Sequence, residues 1–223
     1  MLGEAGVTCA ALTDHNTVDG LLRFEEALGA RGIGFLAGME VEAAHPLGEV
    51  HLLAFGIAVE GGRHRRLSVS PGRQPSVPAA SRPRSLRSLR STMDTMLRGI
   101  VRDSSPDPID EVLARIHGTG GLAFLAHPLQ PFETVERLEV LLADLKAKGL
   151  DGIEALYKPY PRAMRSRLAG LAGRFDLLVS GGSDFHGDGQ RGASRPGCDM
   201  PLWHWNRFRR ALVLPGSTEE TLP

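Results

Sequence analysis

Six side chains of the metal-binding kind stand out: His15, Glu40, His51, His127, Asp184 and His186, most of them at the end of a short apolar run. Imidazole suits zinc, iron or manganese, and a carboxylate can bridge two cations while neutralising part of their charge. This donor mixture favours a multinuclear transition-metal site over a calcium site. Paired metals about 3.5–4 Å apart generate hydroxide from water and stabilise both the entering and the leaving oxygen of a phosphoryl displacement, so phosphoester hydrolysis is the natural chemistry. Taken singly, each residue also has a plainer reading. A lone His after a strand, such as His127 beside Pro128, is more often a hydrogen-bonded structural residue. Glu40 can cap or form an ion pair. Asp184 and His186 share a face of an extended segment, but Asp-x-His also occurs in exposed turns. Asp14 reads as a group that orients either His15 or an adjacent loop. His45, His64, His117 and His204 lack the strand-end context and read as surface or packing residues.

The elements that must carry these residues alternate. Val7 to Leu12 is a short strand ending at Thr13-Asp14-His15, and a helix from Thr17 to Ala30 follows, with Asn16 or Thr17 as its cap. Gly32 ends that helix, Ile33 to Met39 is a buried strand, and Glu40 is placed at its end. Val41 to Ala44 and Val50 to Ile57 flank a Pro-Leu-Gly turn and read as a hairpin, with His51 on its second strand. Pro108 to His117 is a helix, Leu122 to Ala126 a strand delivering His127, Phe132 to Lys148 a helix stopped by Gly149, and Gly152 to Leu156 a strand. A helix over Arg162 to Ala172, a strand over Leu177 to Ser180, the loop Gly181 to Gly187 and a helix over Trp203 to Leu212 complete the pattern. Strands alternating with helices imply a mainly parallel sheet covered by helices. In a closed parallel α/β barrel the loops after the strands converge on one face, which would gather His15, Glu40, His127 and Asp184.

At 223 residues, with a hydrophobic share of 42%, the chain fits one globular domain. No apolar stretch approaches the roughly 20 residues of a membrane helix. Without a basic, apolar leader, the N-terminus reads as that of a cytoplasmic protein. Cys9 and Cys198 are too few for a disulfide framework, and Cys9 reads as a small buried hydrophobe. Net charge is zero but unevenly spread: residues 61–90 hold eight arginines and no acid, leaving 18 basic against 26 acidic residues elsewhere. That Arg/Ser/Pro-rich stretch reads as a flexible insertion, with a salt-dependent nucleic-acid contact as the second possibility.

The blocks Thr13-Asp14-His15-Asn16-Thr17, Gly38-Met39-Glu40, Glu49-Val50-His51-Leu52-Leu53, Ala126-His127-Pro128 and Gly182-Ser183-Asp184-Phe185-His186-Gly187 together resemble the PHP (polymerase and histidinol phosphatase) family. The resemblance extends over residues 1–60 and 108–187. It points to the branch of nucleoside 3′,5′-bisphosphate phosphatases that also act as 5′-to-3′ exoribonucleases. It implies a distorted (β/α)7 TIM-like barrel in two parts, 1–60 and 108–223, around the 61–107 insertion that stands in place of a helical cap. It also implies up to three divalent metal ions, manganese, iron or zinc, held by His15, Glu40, His51, His127, Asp184 and His186, with Glu40 bridging. Glu40, His127, Asp184 and His186 would then serve the reaction. The implied substrates are nucleotides or short RNA, attacked by a metal-activated hydroxide; no membrane partner is implied and the oligomeric state is left open. Family members open with a strand bearing His-x-His and a nearby Asp, so the barrel read here is incomplete at its N-terminus. A chain without those ligands has an alternative reading, a relic that binds metal or a phosphate ligand without turnover.

Overall fold

The computed structural model describes residues 1–58, 106–130, 134–187 and 192–212. The basic stretch 61–90 and nearly all of the 61–107 insertion lie outside them, as does His64. The described chain forms strands β1 (Cys9–Leu12), β2 (Gly34–His45), β3 (Gly48–Phe55), β4 (Asp107–Pro108), β5 (Leu122–Leu125), β6 (Gly152–Ile153) and β7 (Leu178–Val179). Its helices are α1 (Leu21–Gly29), α2 (Ile109–Gly118), α3 (Val135–Ala147), α4 (Arg162–Arg174) and α5 (Leu202–Leu212).

All seven strands join one sheet in the order β1-β2-β3-β5-β6-β7, with the short β4 alongside β2. The parallel pairing expected from the alternation of strands and helices predominates, at β1–β2, β2–β4, β5–β6 and β6–β7. β3 runs antiparallel to both of its neighbours, because the hairpin turn after His45 sends the chain straight back. The result is a mixed, curled half-barrel; among the described residues its two end strands, β1 and β7, are not bonded to each other.

Alternation along the strands sorts their side chains onto two faces. The convex face presents Met39, Val41, Leu52, Leu125 and Ile153 to the helices, where Leu113, Ile116, Leu138, Leu142, Leu145 and Leu168 bury their apolar stripes. The concave face carries a smaller aromatic layer of Leu36, Leu53, Phe55 and Phe124, closed by Phe208 of α5. The three Phe rings meet edge to face with centroids 5.1–5.4 Å apart. Gly152 makes room for this layer, since a Cβ there would overlap the Phe124 ring and stand 2.8 Å from the Leu178 carbonyl oxygen.

Local signals fix the helices that space the strands. In α2 the acids Asp110 and Glu111 fall in the first turn and Arg115 and His117 in the last, matching the helix dipole. The Thr134 side chain caps α3 by accepting from the Arg137 N–H, and Gly149, at φ +102°, turns the chain out of it. The first helix starts later than its sequence indicated, at Leu21 with Gly20 as an N-cap that offers no side-chain bond. Asn16 is held elsewhere, at φ +52° with its N–H on the Glu40 carbonyl, and the Thr17 hydroxyl accepts from Asp19.

Candidate metal centre

Glu40 is the hub. The sequence placed it at a strand end, but β2 is continuous for 12 residues and Glu40 lies in its middle. The reason is its face: the register Glu40↔Leu53 and Glu42↔His51 puts Glu40, Glu42 and His51 on the concave side, beyond the aromatic layer. An acid there interrupts no apolar packing. Glu40 is 4% exposed, so its carboxylate needs partners, and three imidazoles supply them. His51 Nδ1 stands 2.8 Å from Oε1, His127 Nε2 3.1 Å from the same oxygen, and His15 Nε2 3.8 Å from Oε2.

Each imidazole arrives by a different route. His15 follows β1 and is clamped against Glu40 by backbone bonds on either side, Glu40 N–H to Asp14 O and Asn16 N–H to Glu40 O. His51 is carried by β3. His127 follows β5, where the Ala126 N–H bonds to the His51 carbonyl, and its backbone adopts φ +25°, a conformation costly for a β-carbon residue. That conformation is held by a hydrogen bond of 2.8 Å from the His127 N–H to Glu154 Oε2.

Asp184 and His186 approach from the loop after β7. Asp184 also has a left-handed backbone, φ +48°, and accepts at Oδ2 from the Tyr157 hydroxyl at 2.8 Å. His186 Nδ1 lies 2.9 Å from the Asp184 carbonyl, and its ring stacks 6.1 Å from that of His15. Contacts then run in a closed circuit through His15, His51, His127, Tyr157, Asp184 and His186. A cavity of about 1580 Å³ opens onto it between β1 and the loop after β7, lined by Asp14, His15, Glu40, His127, Asp184 and His186 among others. All six side chains singled out in the sequence thus lie on one rim. Of the histidines set aside, His45 pairs with Asp144 and His117 with Asp151, while His204 is buried in α5.

The electrostatics follow from this crowding. Burial pushes the Glu40 carboxyl up, but the hydrogen bonds from His127 and His51 and the nearby charge of His15 outweigh it and hold the group down at about 2. The bond to Glu40 raises His51 above the ordinary histidine value. Glu154 goes the other way: complete burial, reinforced by the charges of Glu40 and Asp184 and only partly offset by the His127 N–H, pushes it up to about 8.

Sequence reasoning missed Glu154 and Tyr157. Both sit just past β6, in the run Gly152-Ile153-Glu154-Ala155-Leu156-Tyr157, of which Gly152 to Leu156 was read only as a strand. A single acid inside an apolar strand was the available signal, since a buried carboxyl requires a partner. The partners, the His127 backbone and Asp184, lie 27 residues away in each case and carry no local trace.

The donor set fits divalent cations. One donor atom each from His15, Glu40 and His51 lie within 4.8 Å of one another, and His127 Nδ1 is buried with no hydrogen-bond partner. Imidazoles with a shared carboxylate are a set for zinc, iron or manganese.

The fold and the rim fit a hydrolase, and the chain is similar to phosphoesterases of PHP type. It is 29% identical over 239 aligned residues to the 3′,5′-nucleoside bisphosphate phosphatase of Chromobacterium violaceum, covering 86% of this chain and 84% of the relative. A shorter match, 41% identity over 78 residues, joins it to the 5′-3′ exoribonuclease of Haemophilus influenzae, over 35% of this chain and 28% of that one. A crystal structure from Bifidobacterium adolescentis assigned as a metal-dependent phosphoesterase superposes with a TM-score of 0.61 at 21% identity, over 95% of this chain and 87% of the other. No family model matches the chain. Among the described residues no helix is long and apolar enough to cross a membrane.

Proposed function

We propose that the chain is a nucleotide phosphoesterase of PHP type, acting on nucleoside 3′,5′-bisphosphates or on the 5′ ends of short RNA. On this reading the half-barrel belongs to a TIM-like barrel assigned to residues 1–60 and 108–223, around the 61–107 insertion. His15, Glu40, His51, His127, Asp184 and His186 hold divalent cations, manganese first, with iron and zinc as alternatives. Its two free thiols suit a reducing cytoplasm.

The observation that carries this reading is the buried Glu40 carboxylate with three imidazoles from separate segments aimed at it. A structural ion pair needs one histidine; three around one carboxylate make a cation cage. When bound, divalent ions acidify water and neutralise charge on the phosphate. The chain's own part is to hold the donors ready. Glu40 stays ionised at every pH near neutrality, and its two oxygens face different imidazoles, Oε1 towards His51 and His127 and Oε2 towards His15. Asp184 and His186 present a second donor pair across the rim, and the cavity admits a ligand of nucleotide size.

The test is direct. The purified full chain with Mn²⁺ is assayed for phosphate release from adenosine 3′,5′-bisphosphate and for mononucleotides from a 5′-phosphorylated oligonucleotide, with Glu40→Gln as the control. Turnover lost in the variant is expected. Mn²⁺ bound with no turnover of either substrate would overturn the enzymatic reading in favour of a binding protein.

A further inference from the structure

We propose that Tyr157 is a positioning residue that fixes the direction of the Asp184 carboxylate, with Gln130 setting the polarity of the contact. This rests on the reading of Asp184 as a metal ligand. Tyr157 is 3% exposed, and the turn that carries it is tied to the segment leading to Asp184 by backbone bonds from Leu156 N–H to Ser180 O and from Lys158 N–H to Gly182 O. Its hydroxyl has two polar partners, Asp184 Oδ2 at 2.8 Å and Gln130 Nε2 at 3.0 Å.

The hydrogen bonds can run only one way. The amide nitrogen of Gln130 can only donate, so it gives its hydrogen to the phenol oxygen, and the single tyrosine proton goes to Asp184 Oδ2. Gln130 is itself fixed to the His127 turn, through its N–H on the His127 carbonyl. The Tyr157 ring packs 5.9 Å from that of His127. One phenol therefore locks together the two loops that bring His127 and Asp184 to the rim. With Oδ2 held by the phenol, Oδ1 is the oxygen turned towards His186, 3.4 Å from its Nδ1. Without the hydroxyl, Asp184 Oδ2 loses the donor that orients it, and the donor pair it forms with His186 is less firmly preset.

Partners that orient metal ligands are worth about 10–100-fold in metal affinity. The experiment is a Mn²⁺ titration of the full chain followed by electron paramagnetic resonance, which separates free from bound ion, on wild type, Tyr157→Phe and Tyr160→Phe. Tyr160 is the matched control, because its hydroxyl accepts from the backbone N–H of Leu129 rather than bonding to Asp184 and its ring meets that of Tyr157 edge to face at 4.8 Å. The Tyr157→Phe protein keeps the ring and is expected to bind its weakest Mn²⁺ about 10–100-fold less tightly, while its metal-free melting temperature stays within a few degrees of wild type. Tyr160→Phe is expected to retain wild-type affinity. Equal binding by wild type and Tyr157→Phe, or an equal loss in both variants, would overturn the assignment of Tyr157 alone. Failure of wild type to bind Mn²⁺ would instead remove the reading on which it rests.

Discussion

Replacing Glu40 by Gln probes the hub without altering its shape. In the metal-free protein the carboxylate and His51 form a buried ion pair with opposite titration signatures. Glu40 is depressed from an ordinary 4.5 to about 2, so its contribution is present above 4.5 and is lost as pH falls towards 2. His51 is raised above 6.5, so its contribution is complete below 6.5 and is lost as pH rises through the elevated value. The pair therefore stabilises most between about 4.5 and 6.5. A carboxyl held at about 2 rather than 4.5 corresponds to about 3 kcal/mol, and its near-complete burial leaves little of that to solvent screening. Urea unfolding with a chelator present, from pH 3 to 8, gives the difference between wild type and Glu40→Gln at each pH. That difference is expected to peak at about 3 kcal/mol inside the window and to shrink on both sides. A difference that is flat across the whole range would refute the assignment of the pair.

Mn²⁺ must displace the proton shared by His51 and Glu40, so binding is expected to release protons and to weaken as pH falls through the His51 range; calorimetry in buffers of different ionisation enthalpy measures both. Gly152→Ala drives a methyl group into the fully buried Phe124 ring and should cost about 1–3 kcal/mol in urea unfolding; an unchanged midpoint would contradict the packing described. Phe208→Ala removes one of three interlocked rings from the concave face and is expected to cost about 3–5 kcal/mol, read the same way.

The donors that stand beside strands were legible because a short apolar run followed by a polar residue leaves a local mark, as at Leu12 before His15 and Ala126 before His127. Glu40 was found for the same reason and misplaced for it too. An acid ends an apolar run on paper, whereas in the sheet it occupies the one face where acids are welcome, and β2 continues through Val41 and Ala43 on the other face. The antiparallel course of β3 was legible as the hairpin expected over Val41 to Ala44 and Val50 to Ile57. Tyr157 and Gln130 were invisible, and the lone acid Glu154 was marked but without its partner, because their roles arise from loops that meet only in three dimensions. The start of α1 was misjudged because Asn16, a good cap by type, is claimed by the backbone of β2.

The long strand β2 is bonded along its length by β1, β3 and β4, whereas Asp184 and His186 ride on a loop. The centre thus has an anchored pole and an adjustable one. If the proposed ligands hold, substitutions at the anchored pole are expected to disturb folding and ion capture together, and those around Asp184 to retune ion preference with little effect on the fold, a dial separate from the foundation.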